Sequence, residues 1–441
     1  MVGLASVQGL EWILKRTGFN PSSNPDTLAF LPTSSSTICM QCRGARMLCG
    51  KAYCPVLSKA ELLIKHMPKL SREEVDGSTP PGVFVGRAGY PRVYVGPLIP
   101  PEKGDTRVLD TPELWLGKPI RDIIDYRFSL IRGKSLIEVH DAADPGRYLL
   151  DLHDLALSSS SVDVSARFKK KPRMVVALSE ETQPFGPSAL IRNLEIAPSS
   201  AERRLEDVYY DGDLLAGDGM VELYEGGVEV SRIQRTLSMG MLGVDEQRKV
   251  VPTRWSITAV DDTLSKHLLR KVRGYPPIDK YEVYKYQYLD NWYAAILSPR
   301  NWAFEWIEAW FPGTAWNEVG TVPAMMGDHE PFGGRTTYAS VGGCYYSTRL
   351  AVAEALERMG RQASALVLRE IRPGYVLPVG VWNVRESVRA ALRTPPSEFD
   401  DFRRALQFAC NEFAIKPGSW LLSSHLIRDE VFQPRITQFL R

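Results

Sequence analysis

The sequence predicts a mixed α+β protein of two domains, preceded by a small N-terminal module built on four cysteines. Three observations point there. Four of the six cysteines fall within the segment CMQCRGARMLCGKAYC. Short apolar runs broken by Gly and Pro, which read as strands, are interspersed with segments of helical period. After FPGTAWNEVGTVP the composition turns Gly-rich, which marks a domain boundary near residue 318.

The elements are expected in this order. Residues 6–17 have the apolar spacing of a short amphipathic helix. In SKAELLIKHMPKL a helix is expected to begin at Ser58, whose hydroxyl can cap it, with Glu61 three residues on. PGVFVGRAGYPRVYVGPLIPPEKGD reads as short strands, TPELWLGKPIRDIIDYRFSLIRG as helical in parts, and RYLLDLHDLALSSSS as a helix ending in a serine run. RMVVAL reads as a strand. RWSITAV looks strand-like, and TLSKHLLRKVRG after it reads as a helix with Leu264, Leu268 and Val272 inward. Residues 281–316 hold twelve aromatics, including five of the ten tryptophans. Within them, YEVYKYQYLDNWYAAIL predicts a hairpin turning at Asp290-Asn291. Beyond the boundary, STRLAVAEALERMG reads as a helix, SALVLREI as a strand, and NVRESVRAALR as a helix capped by Asn383 with Glu386 three residues on. The chain therefore divides into 1–57 (helix and four-Cys module), 58–317 (α+β core), 318–428 (C-terminal α/β domain) and 429–441 (tail).

Bulk composition excludes several classes. The 54 basic and 52 acidic residues leave a net charge of +2, too balanced for a basic coat on nucleic acid or an acidic solubiliser. Any nucleic-acid contact must come from local patches. No long apolar run suggests a signal peptide or a membrane span, so a cytoplasmic protein with no membrane partner is expected. In that compartment paired disulfides are disfavoured.

Cys39, Cys42, Cys49 and Cys54 follow the spacing C-x2-C-x6-C-x4-C. Four thiolates close a tetrahedral structural site around Zn²⁺ at about 2.3 Å per bond, and two intervening residues let the first pair face one ion. Gly44 and Gly50 lie where tight turns are needed. Cys54-Pro55 also echoes iron–sulfur proteins, although the spacing suits them poorly. A disulfide pair or buried thiols is the remaining reading. Four thiolates leave no open position, so the site carries no catalysis. Arg43, Arg46 and Lys51 either touch phosphates or keep the loop solvated. Cys410 reads as core, and Cys344 as packing, since no neighbouring histidine would activate it.

Two basic patches are candidates for tracking phosphates: Arg167, Lys169, Lys170, Lys171 and Arg173, and then Lys266, Arg270, Lys271 and Arg273. Both also suit solvated faces. The aromatic stretch either packs a sheet or seats unpaired bases. No P-loop, G-x-S-x-G or H-E-x-x-H motif occurs. Asp328, His329 and Glu330, in a glycine-rich loop, and the pair Asp261 and Asp262 are the candidates for a catalytic Mg²⁺ or Mn²⁺. They support the alternative reading of a metal-dependent, nuclease-like enzyme acting on damaged nucleic acid.

The tail QPRITQFLR carries the sharpest motif. Gln433, Ile436, Phe439 and Leu440 fit Q-x-x-[aliphatic]-x-x-[aromatic]-[bulky], and one helical turn puts Ile436, Phe439 and Leu440 on one face. Pro434 stiffens the approach. This resembles the PIP box that repair and replication proteins insert into the PCNA sliding clamp, departing from it at Leu440, where an aromatic is usual. The competing reading is a tail that folds onto its own domain. The rest of the chain resembles the archaeal Nre family of DNA repair proteins. The resemblance lies in the four-cysteine knuckle, VPTRWSITAVDDTLSKHLL, the aromatic stretch, LREIRPGYVLPVGVWNVRESVR and the tail. It implies repair of damaged DNA alongside the sliding clamp and supplies no established chemistry.

Overall fold

The structure, a computed structural model, describes residues 15–16, 28–31, 41–48, 54–172, 174–177, 185–317 and 320–432. Two compact units divide the chain: Met1–Thr263 with Val376–Val379, and Leu264–Tyr375 with Gly380–Arg441. The mixed α+β class holds in both. Residue 318 falls inside the second unit.

In the first unit the elements run β1 (Leu28–Leu31), α1 (Pro55–Leu70), β2 (Glu74–Thr79), β3 (Val83–Val85), β4 (Arg92–Ile99), α2 (Ile120–Phe128), β5 (Ile131–Glu138) and α3 (Arg147–Leu157). They continue through β6 (Val162–Phe168), β7 (Met174–Ala177), β8 (Ser188–Ile196), α4 (Arg203–Tyr210), α5 (Ala216–Glu225) and α6 (Val230–Ser238) into α7 (Thr253–Val272). Helix α1 starts three residues earlier than Ser58. Pro55 occupies its first turn, where a missing N–H costs nothing and the fixed φ suits the helix, and Cys54 takes the extended N-cap position. The expected helix over 6–17 lies outside the described residues apart from Lys15 and Arg16.

Six strands form a sheet in the order β2-β6-β8-β5-β4-β3, antiparallel except for the parallel β8/β5 pair. Alternation is clean along β6: Val162, Val164, Ala166 and Phe168 are buried, while Asp163, Ser165 and Arg167 are exposed. Val164, Ala166 and Phe168 pack with Leu62, Met67 and Leu70 of α1 and with Ile124 and Phe128 of α2. β1 and β7 form a separate parallel pair.

Helix α6 is buried along its whole length although its sequence, VSRIQRTLS, is largely polar. Its polar groups are matched one by one. Arg232 Nη2 donates to the carbonyls of Ala156 (3.2 Å) and Ser158 (2.8 Å). Arg235 reaches Asp110 (3.1 Å), which also accepts from Arg127 (2.9 Å). Gln234 Nε2 donates to Asp261 Oδ1 (3.0 Å). Such matching is what makes a buried polar helix tolerable.

RWSITAV is helix, not strand, since α7 runs unbroken from Thr253 to Val272. Ser256, Val260, Leu264, Leu268 and Val272 are all buried. That spacing of four is helical and outweighs the modest helix cost of β-branched Ile257, Thr258 and Val260.

The second unit adds β9 (Tyr281–Tyr288), β10 (Asn291–Ser298), β11 (Ala303–Trp310), β12 (Ala324–Glu330), α8 (Gly343–Met359), β13 (Ser364–Ile371), α9 (Trp382–Ala391), β14 (Ser397–Phe399), α10 (Phe402–Ala409), α11 (Pro417–Ser423) and α12 (His425–Phe432). Its sheet order is β12-β11-β13-β10-β9-β14, with only β11/β13 parallel. The β9–β10 hairpin turns at Leu289-Asp290, one residue before the expected pair. Both have positive φ (50° and 56°), as a two-residue turn matched to strand twist requires. Ile296, Ile307, Leu366 and Leu368 pack under α10–α12 with Phe402, Leu406, Trp420 and Ile427. Trp302, Phe304, Trp306 and Tyr293 are at most 1% exposed, so these rings of the aromatic stretch are core and offer no seat for bases. Asn383 lies within α9, buried, and does not cap it; Glu386 pairs with Arg389 (2.9 Å).

Candidate functional sites

The cysteine module is described at Cys42 and Cys54; Cys39 and Cys49 lie outside the described residues. Cys42 is buried, and its carbonyl accepts from Ala45 N (3.1 Å) in a tight turn. Arg43, Gly44 and Met47 all adopt positive φ there. Burial raises the Cys42 thiol, but the backbone N–H groups of Leu48, Arg46, Gly44 and Met47 outweigh it and hold the group below its ordinary value. A sulfur ringed by N–H donors is a pocket for a thiolate, the form that ligates a soft divalent ion. Cys54, half-buried, stands at the start of α1 and packs on the first unit's core. Cys42 thus has surroundings that suit a thiolate ligand. Among the described residues no group of three His, Cys, Asp or Glu converges on one point.

The candidate catalytic acids are not gathered at one point among the described residues. Asp261 sits in the middle of α7, fully buried, with the Gln234 amide on it. Asp262 follows it 100° around the helix, so the two carboxylates diverge. Asp328, His329 and Glu330 lie on strand β12, not in a loop, and alternation sends His329 to the opposite face from the other two. His329 stacks on His425 with centroids 3.9 Å apart. Asp328 accepts from Arg335 Nη2 (2.9 Å) and Ser340 N (2.7 Å). Burial raises its carboxyl, but Arg335 and those N–H groups prevail and hold it at about 2. Glu330, 1% exposed, accepts from Trp302 Nε1 (3.1 Å), Tyr345 OH (3.0 Å) and Arg349 Nη1 (2.8 Å). These carboxylates are spent on structure.

The cysteines outside the module are equally structural. Cys410 is core. Burial, with the Glu308 charge adding to it, pushes the Cys344 thiol up to about 12, away from the thiolate form a nucleophile needs.

In the first basic patch, Arg167 pairs with Glu74 across β2/β6, and Lys169, Lys170 and Lys171 are exposed. Arg173 lies outside the described residues. In the second, Leu264, Leu268 and Val272 are buried as expected, and Lys266, Arg270 and Lys271 are exposed. Arg273 is half-buried, its guanidinium 5.7 Å from the Phe332 ring centre.

Gln433, Ile436, Phe439 and Leu440 lie outside the described residues. Their root is firmly placed. The Glu305 carboxylate of β11 accepts from Ser424 Oγ (2.5 Å), His425 N (2.8 Å) and Leu426 N (2.9 Å) at the start of α12. Near its end, Glu430 is held by Arg300 (3.0 Å) and Tyr281 OH (3.0 Å). Phe432, the last described residue, is exposed.

One buried cluster escaped the sequence reading. Arg369, in the middle of β13, donates to Glu308 (3.0 Å) and to Asn291 Oδ1 (3.0 and 2.6 Å). Its guanidinium also lies 5.7, 5.4 and 5.6 Å from the rings of Tyr293, Trp310 and Tyr375. The available signal was two adjacent charges, Arg369 and Glu370, inside an otherwise largely apolar strand.

Among the described residues no helix is long and apolar enough to cross a membrane. Two family models match the chain: "Archaeal Nre, N-terminal" over residues 48–317 and "Archaeal Nre, C-terminal" over residues 330–439. The first begins after Cys39 and Cys42, and the second runs through Phe439. The DNA repair protein NreB of Archaeoglobus fulgidus is 43% identical over 88% of this chain and 97% of its own length. The DNA repair protein NreA of the same organism is 36% identical over 88% of the chain and 97% of its own length. NreA of Haloferax volcanii is 37% identical over 75% and 81%. No solved structure matches.

Proposed function

Since this chain belongs to the archaeal Nre family, we propose that it is a DNA repair factor recruited to DNA through the PCNA sliding clamp by its C-terminal motif. The observation that carries the repair role is likeness over almost the whole chain to relatives named as DNA repair proteins. Recruitment rests on the tail: Ile436, Phe439 and Leu440 are the apolar plug and Gln433 the hydrogen-bonding hook. The seating of α12 by Glu305 supports it, because a rigid root presents the motif at a defined place. A tether raises the local concentration at DNA without a strongly basic body, which suits a net charge of +2.

Cys39, Cys42, Cys49 and Cys54 would hold a structural Zn²⁺. The N–H donors around Cys42 support that assignment. Such an ion would cross-link the module to the start of α1 and take no part in chemistry.

The test of recruitment is a titration of purified clamp with the full 441-residue chain and with a chain ending at Phe432. The tail is expected to account for most of the affinity. Equal affinity of the two chains removes it from the account.

A further inference from the structure

Strand alternation in the first unit sends one set of side chains into the core under α1 and α2 and the other set outward. At the centre of the outward face, Tyr94 on β4 is the cross-strand partner of Leu136 on β5, and Lys134 of β5 is the partner of Leu190 on β8. These three large side chains are well exposed: Tyr94 38%, Leu136 45% and Leu190 43%. The ammonium of Lys134 lies 5.9 Å from the Tyr94 ring centre. Two residues before it, the Arg132 guanidinium is clamped between the rings of Phe84 (5.3 Å) and Phe185 (4.6 Å), and its Nε has no hydrogen-bond partner. Arg192 stands exposed where β8 departs from register.

On this face Glu138 is taken by Arg92 (3.0 Å), Glu74 by Arg167, and Glu195 accepts from Asn193 (2.9 Å). The other acids of this face, Asp76 and Asp163, lie toward its β2/β6 edge, and Asp163 is 3.8 Å from Lys103. Arg132, Lys134 and Arg192 have no carboxylate among the described residues. Lys169, whose backbone N–H donates to the Leu190 carbonyl (2.8 Å), opens the exposed run Lys169–Lys171 beside them. Burial, and after it the nearby Arg127, hold Arg132 down at about 10, and burial with Arg132 lowers Lys134. Cations kept together without counter-charge are relieved by an anion.

We propose that this sheet face binds single-stranded nucleic acid, with phosphates at Arg132, Lys134 and Arg192 and a base stacked on Tyr94 between Leu136 and Leu190. The assignment deepens the repair reading and rests on it. An exposed ring set among cations that no described carboxylate pairs is a stacking platform beside a backbone track, and every base has a face to offer it. A duplex keeps its base faces hidden and is read by elements that enter a groove, which this face lacks.

The test is fluorescence anisotropy with a dye-labelled oligothymidylate and with a duplex of the same length. The proteins are wild type, Tyr94→Ala, the double variant Lys134→Gln/Arg192→Gln, and the chain ending at Phe432. Thermal melting first establishes that each variant is folded. Tyr94→Ala is expected to weaken single-strand binding about tenfold. The double variant should make the log–log salt dependence shallower by about 1.4, at roughly 0.7 per phosphate contact. The truncated chain should bind the oligonucleotide as wild type does. No binding by wild type, binding that the substitutions leave unchanged, or a preference for duplex overturns the proposal. Loss of clamp binding on truncation, with no single-strand binding by any protein, sinks the sheet face and leaves recruitment standing; the opposite pattern separates the two the other way.

Discussion

Glu330→Ala is the substitution whose cost the structure defines best. The carboxylate is 1% exposed and takes three donors: the Arg349 guanidinium at 2.8 Å, Tyr345 OH at 3.0 Å and Trp302 Nε1 at 3.1 Å. Removing it strands the Arg349 charge, whose side chain is itself only 1% exposed. Breaking one partner out of a buried pair costs about 3–5 kcal/mol. The phenol and the indole N–H then lose their acceptor, each at about 1 kcal/mol. The expected loss is therefore about 6 kcal/mol, comparable with the whole stability of many domains. Urea unfolding followed by tryptophan fluorescence reads it, since Trp302, Trp306 and Trp310 lie in the same unit, buried. With an m-value of about 2 kcal/mol/M the midpoint should fall by about 3 M. Glu330→Met with Arg349→Met should recover about 2 kcal/mol relative to the sum of the single substitutions, because the stranded charge is then gone. A midpoint shift below about 0.5 M for Glu330→Ala would mean that Arg349 finds water, and the claim that β12 is seated on a dry polar core would fail.

Other outcomes are equally open to measurement. His153 is buried neutral between Tyr209 OH (3.0 Å) and the Met239 carbonyl (3.0 Å), and burial holds it down at about 4. The unfolded chain takes up that proton near pH 6.5 and the folded chain only near 4, so stability should fall by about 3 kcal/mol as pH drops through that window. Thermal melts across the window should show a shallower decline in His153→Gln. Leu289 carries a positive φ that costs a branched side chain about 1 kcal/mol, so Leu289→Asn should raise the melting temperature, and a lowered one refutes the turn assignment. Phe439→Ala should weaken clamp binding by about tenfold or more while leaving the melting temperature unchanged; a drop in melting temperature would place the tail on its own domain. Elemental analysis should find one zinc per chain, lost in Cys42→Ser together with a lower melting temperature.

Much of the fold was legible because its signals are short-range. The spacing of Leu264, Leu268 and Val272 declared a helix, and the alternating aromatics before Asp290 declared a hairpin. Where the reading slipped, a second local signal had been underweighted. Pro55 marks the start of α1 more strongly than Ser58 does, because its fixed φ and missing N–H suit a first turn. Ser256 and Val260 extend the stripe of α7 back through residues that a propensity scale assigns to strand. Asn383 had the chemistry of a cap, yet α9 begins before it and buries it.

The surroundings of the candidate acids were illegible for a different reason. Asp261, Asp328 and Glu330 carry the residue types of a metal site, and nothing nearby in sequence announces that Gln234, Arg335 and Arg349 are waiting for them. Unaided, the sequence determined most of the described helices and the hairpin, because each is encoded within a few residues of itself. Only the tertiary structure decided which charges are structural and which are left facing water. Arg369 meets Glu308 from 61 residues away and Asn291 from 78, and Glu305 seats α12 from 119. Desolvation makes such distant pairings obligatory once the sheet closes over them, so chemistry that looked available along the chain is consumed inside the fold, while Arg132, Lys134 and Arg192 have no carboxylate partner among the described residues.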